Sequence, residues 1–268
     1  MRCAWSRLLA LVIAGCMAFT QPALAQELTA KDVTSAFFKA DAGQRVDFSH
    51  RNLGALDLSG LDFKAALLAG ADLTGSDLSA ANLKGTDLSG AHLDRATLIG
   101  ADFSGANLSH ATILRPTVFS TLDNDRKDAP RFRGANLSDI HIVANRLDGA
   151  DFRDANLTRA ILGPIDHAWG EERYAQRSVM LGCDFSNATL VAANLVNGVF
   201  LFAKFRDANL KNALLAGADL SKADLTGADL TGADMTGANV EDANLSGVVG
   251  LATVRGLDTI RNLDKAIR

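Results

Sequence analysis

The sequence predicts an all-β solenoid, a chain that turns once every five residues and stacks its turns into a rod. Three observations carry this reading. A leucine recurs at five-residue intervals, most regularly in ADLTGADLTGADMTGAN from Ala223 to Asn239. The residue two places after it is often a corner former, as in Gly60, Gly70, Gly75, Gly90, Gly227, Gly232 and Gly237. The residue two places before it is small, as in Ala71, Ala101, Ala150, Ala218 and Ala233.

The period excludes the ordinary elements. Residues five apart are rotated by about 140° around an α-helix and gather on no face. In a straight strand the side chains alternate, so Leu220, Leu225 and Leu230 would point to opposite sides in turn. A chain that turns within each repeat aims the same residue inward every time. The small residue two places earlier then supplies a second inward position in a crowded interior. The other three letters, mostly Asp or Asn, Ser or Thr, and Gly, are expected to face water. A composition of 48% apolar but only 6% aromatic residues fits a repetitive aliphatic core better than an enzyme core.

These units, A(D/N)LXX around a central Leu or Phe, resemble the pentapeptide-repeat family. The resemblance runs from near Val46 to near Val248, with roughly 36 units. It implies a right-handed quadrilateral β-helix, four units to a coil, with the central residue and the one two before it inward. About nine coils at about 4.8 Å each give a rod about 43 Å long.

Residues 1–25 read as a secretory signal: Arg2 and Arg7, an apolar run from Leu8 to Phe19, Pro22, and the small-residue triplet Ala23-Leu24-Ala25. Cleavage is expected after Ala25, giving a periplasmic or secreted protein. Ile13-Ala14-Gly15-Cys16 also resembles the lipobox of bacterial lipoproteins, which makes a lipid anchor at Cys16 the alternative. The apolar run is too short to span a bilayer, and no later one argues for integral insertion.

Residues 26–45 are expected to form an N-terminal helical cap. Thr29 and Asp32 provide the N-cap and an acidic first turn, Val33, Phe37 and Phe38 an apolar side, and Gly43 the stop. Coils follow over 46–118, 132–162 and 180–248. Residues 249–268 are expected to form a second helical cap, with Val254, Leu257, Ile260 and Ile267 near helical spacing.

The repeat breaks twice, over 119–131 and over 163–179, and each break reads as a loop leaving the wall. Seven units separate the breaks, one short of two coils, so the loops should emerge on neighbouring faces about 8 Å apart along the rod. Loops on rigid scaffolds are common places for binding residues. The second carries His167, Trp169, Glu171, Glu172, Arg173 and Tyr174. With the apolar outliers Leu201 and Phe202, which occupy slots that normally face water, these are the candidate partner-binding residues. Trp169 folding back over Leu201 and Phe202 is the competing reading.

No catalytic, cofactor or metal site is expected. His50, His92, His110, His141 and His167 are scattered without zinc-like spacing, and the aspartates are placed by the repeat. Of three cysteines, Cys3 and Cys16 fall in the leader, and Cys183 occupies a small inward slot as a packed thiol. The expected function is an exported, non-enzymatic repeat scaffold that binds a protein or envelope component, and not nucleic acid. The resemblance offers an alternative, a rod that mimics duplex DNA and acts on DNA gyrase. Against it, removing two of 27 basic residues with the leader leaves 25 against 31 acidic, a net charge of about −6. A duplex of that length carries about 25 charges. Lys204 is expected between Asp184 and Asp224 on one face, and Asn82 between Asp62 and Asp102 on another.

Overall fold

The computed structural model describes residues 28–41, 43–119, 126–143, 146–163 and 177–268. Residues 1–27, residues 120–125 of the first insertion and residues 164–176 of the second lie outside them. The chain is a right-handed quadrilateral β-helix, with wall residues away from the insertions and the last coil bridged in parallel to those twenty positions later, as in Asp47 to Leu67 and Leu67 to Asp87. Four units therefore make one coil. The first wall runs through Asp47 and Leu67, the second through Asn52 and Asp72, the third through Asp57 and Asp77, and the fourth through Asp62 and Asn82.

One unit shows why the word has five letters. In Thr86–Gly90 the Thr86 amide closes the preceding β-turn on the Leu83 carbonyl at 3.2 Å. The Asp87 amide donates back one coil to Ala66 O at 3.0 Å, while Leu88 and Gly90 donate forward to Asn107 O at 2.7 Å and Ser109 O at 2.8 Å. The Ser89 amide is left, and the Asp87 carboxylate accepts it at 3.1 Å. Every N–H of the unit has a partner, which a backbone packed coil on coil requires. The Asp or Asn is thus an Asx-turn residue and not merely a solvated one. Ser or Thr after the leucine adds a hydroxyl bond to the same oxygen, as Thr226 Oγ1 does to Asp224 at 2.6 Å. These letters face outward as expected, and the Asp or Asn and the Ser or Thr also close the corner of their own unit. The corner residue has positive φ, 69° at Gly75, as the third residue of a type II turn demands.

The interior is dry and continuous. Leu68, Leu73, Leu78 and Leu83 and the small residues Ala66, Ala71 and Ala81 are buried. On the fourth wall Phe103, Phe132, Phe152, Phe185 and Phe205 stack with centroids 5.0, 5.0, 4.8 and 4.9 Å apart. Cys183 is buried, its Sγ 2.9 Å from Leu147 O, and burial pushes its pKa up, as expected of a packed thiol. Gly198 takes the small slot beneath Phe200, whose ring would lie 2.5 Å from an added Cβ.

At the start of the rod, α1 (Ala30–Lys39) caps the first coil. Thr29 and Asp32 form a reciprocal capping box, and Phe37 packs on Phe63 and Phe48 at 5.4 and 5.8 Å between centroids. Two expectations are corrected here. Phe38 is 89% exposed, because neighbours on a helix point about 100° apart and Phe37 already faces the coil. The helix ends at Lys39 with Ala40 extended, ahead of Gly43. At the other end the helical content is two 3₁₀ turns, Leu251–Thr253 and Leu257–Thr259. They sit at the corners of a tenth coil whose sides lengthen to six residues. Val249, Arg255, Arg261 and Ile267 pair with Asp229, Asp234, Asn239 and Asn244 of the ninth coil. Val254 and Ile260 are buried at this six-residue spacing, whereas Leu257 and Ile267 are exposed.

The bridges locate both insertions. Asp102 pairs with Arg131, an offset of 29, and Arg146 with Val179, an offset of 33, so nine and thirteen residues are added to the usual 20. The first insertion leaves the corner after the third wall and the second leaves the corner before it, seven units apart. Both therefore border the third wall. The only strands longer than a bridge among the described residues, β1 (Thr112–Leu114) and β2 (His141–Val143), pair in parallel on the second wall.

Candidate partner-binding wall

On the third wall just past the second insertion, apolar residues replace the usual polar letters. Val179 and Val199 occupy the Asx position on successive coils, and Leu181 and Leu201 follow the inward Met180 and Phe200. Phe202 holds the corner position. The first four are half-buried and Phe202 is 53% exposed. Its φ of 60° is the left-handed conformation that glycine takes at equivalent corners, and a bulky side chain there costs about 1 kcal/mol. The Lys222 ammonium lies 5.5 Å from the ring centroid. A strained, exposed aromatic beside four aliphatic side chains is the kind of surface that marks a contact site.

Two of the eight expected site residues, Leu201 and Phe202, therefore stand on this wall. His167, Trp169, Glu171, Glu172, Arg173 and Tyr174 lie outside the described residues. Val179, Leu181 and Val199 were missed by reading the breaks alone, although their signal was present: each is an apolar letter in a slot that the repeat fills with Asp, Asn, Ser or Thr.

The fourth wall has a different character. Asn82 Nδ2 donates to Asp62 at 3.1 Å, Arg131 pairs with Asp102 at 3.1 Å and Lys204 with Asp184 at 3.4 Å, while Arg206 pairs with Asp224. The two triplets expected on different faces share this wall, because insertions of nine and thirteen residues carry the register past the simple count of twenty. A neutral or basic residue between most of these carboxylates, and Arg153 on Asp151 where Asp151 stacks directly on Asp184, offset the repulsion that stacked carboxylates create.

Asp102 is the most perturbed of these carboxyls. Burial pushes its pKa up, but bonds from the Ser104 hydroxyl and amide, then from Arg131 and Lys84, outweigh burial and bring it down to about 2 from 3.8. A depressed folded pKa means stability that is complete above pH 4 and is lost as the pH falls from about 4 to about 2, worth about 2 kcal/mol. Asp102→Asn should thus be less stable than wild type at pH 7 and nearly equal to it at pH 2, as urea unfolding at both values would read. A gap of the same size at both values would contradict this.

Among the described residues no group of His, Cys, Asp and Glu side chains could hold a metal ion. No helix among them is long and apolar enough to cross a membrane. The profile of pentapeptide repeats matches the chain in eight copies, over residues 44–79, 76–113, 131–163, 183–221 and 208–247. The chain belongs to the pentapeptide-repeat family.

Both insertions fall in the gaps between those matched stretches. Among solved structures, HetL is a pentapeptide repeat protein involved in heterocyst differentiation regulation from the cyanobacterium Nostoc sp. strain PCC 7120. It is 27% identical, with 90% of this chain and 95% of HetL covered at a TM-score of 0.46. A pentapeptide repeat protein from the Arabidopsis thaliana thylakoid lumen is 25% identical, with 49% of this chain and 79% of that one covered at a TM-score of 0.25. Full-length QnrB1, a plasmid-mediated fluoroquinolone resistance protein, is 17% identical, with 73% and 93% covered at a TM-score of 0.36. A comparison with curated proteins gives no match.

Proposed function

We propose that this pentapeptide-repeat protein is an exported, non-enzymatic scaffold that holds a protein or envelope partner on its third wall, beside the second insertion. The observation that carries the reading is the wall of Val179, Leu181, Val199, Leu201 and Phe202, where a polar repeat turns apolar over two coils. Trp169 and Tyr174 of the adjoining insertion supply the aromatic anchors that protein interfaces favour. The charge-neutralised fourth wall supports a protein partner over a gyrase-directed DNA mimic, which needs unbroken negative charge. Export rests on the leader, with cleavage after Ala25 or acylation at Cys16.

Phe202→Gly separates binding from folding. Glycine relieves the left-handed strain at this corner, so the variant should be as stable as wild type or slightly more stable. Loss of the exposed ring should weaken partner capture by more than tenfold in a pull-down from the periplasmic fraction. Capture at full affinity by the stable variant would remove the third wall from the binding surface. Recovery of the protein in the cytoplasm with Met1 intact would overturn the export reading separately.

A further inference from the structure

We propose that Asp102 and Asp148 are register locks, positioning residues that tie the first unit after each insertion to the coil before it. Buried carboxylates are rare along the described rod: only Asp102, Asp128 and Asp148 qualify, and all three stand at the insertion joints. Elsewhere the repeat aspartates are only partly buried or exposed and serve the corner of their own unit, as Asp77 does for the Ser79 amide at 2.9 Å.

At the first joint, Asp102 of the third coil accepts its own Ser104 amide at 3.0 Å and also Arg131 Nε at 3.1 Å. Arg131 is the wall residue at which the chain returns. The Gly100 amide, which by the repeat would bond the carbonyl nineteen positions on, bonds Asp128 O instead at 2.6 Å. The backbone ladder thus resumes at the residue that closes the loop, and Asp102 clamps the side chain that follows.

At the second joint the Leu181 amide needs an acceptor, because its own Asx position is Val179. Asp148, one coil earlier, supplies it at 3.1 Å and is itself held by Arg146 Nη2 at 2.7 Å. The same cross-coil bond joins Asp94 to the Leu114 amide at 3.0 Å, where Thr112 replaces the Asx residue. The device is therefore general, but among the described residues Asp148 alone uses it across an insertion.

Hydrogen exchange on the full chain tests this. Asp148→Ala should speed exchange of the Leu181 amide and its neighbours within 177–182 by about tenfold, the change expected for losing one charge-assisted bond, with the last coils unchanged. Asp148→Asn retains an acceptor oxygen and should restore protection at Leu181. Asp102→Ala should act likewise over 128–133. Asp77→Ala, remote from both insertions, should affect only its own corner. Uniform acceleration along the rod, no change at either joint, or failure of Asn to rescue would each overturn the proposal.

Discussion

Leu225→Asp should destabilise the rod by about 3 to 5 kcal/mol, the cost of placing an unpaired charge in a dry column. Leu225 is fully buried on the fourth wall, in the column that continues from Phe205 to Leu245. No cationic side chain among the described residues is buried, so the carboxyl either stays neutral or forces the coil open. Thr226→Asp, one residue on, should cost only about 1 kcal/mol. It removes the hydroxyl bond to Asp224 and adds a second carboxylate beside it, on a surface where Arg206 already pairs with Asp224. Chemical unfolding of the two variants reads the difference. Equal shifts in midpoint would mean that inward and outward positions are misassigned.

What the sequence made legible follows from what a period can encode. Five-residue spacing of Leu225, Leu230 and Met235 requires a turn in every unit, and the corner glycines say where it falls. Spacing does not encode who bonds whom. The Asx role of Asp87 needs the coordinates of an amide two residues away, and the duty that Asp148 performs for Leu181 crosses 33 positions. Counting in twenties likewise failed across the insertions, which is why Asp62 and Asp184 were placed on different faces although both belong to the fourth wall. The tenth coil was obscured because a six-residue side with a 3₁₀ corner imitates helical spacing. Of the candidate site, Leu201 and Phe202 were visible as letters out of place; that Val179, Leu181 and Val199 join them required the coil-to-coil register.

Removal of the second insertion should abolish partner capture and leave the β-helix intact. Gly163 follows the inward Leu162, and Ser178 begins the next unit, so one corner residue is needed where fourteen stand. Deleting 165–176 would leave Pro164 and Arg177 there, one residue too many, and proline cannot take the positive φ that the corner demands. Deleting 164–176 leaves Arg177 alone, and arginine already holds this conformation at Arg95, Arg115 and Arg159, with φ of 58°, 54° and 56°. The bridge from Arg146 to Val179 should then close at the ordinary offset, and the melting temperature should move by only a few degrees, because a long surface loop contributes little to a repeat core. If Trp169 and Tyr174 anchor the partner, capture falls below detection. A folded deletion variant that still captures at full affinity would assign recognition to the wall of Val179, Leu181, Val199, Leu201 and Phe202 alone. Loss in this variant together with loss in Phe202→Gly would make the loop and the wall one surface.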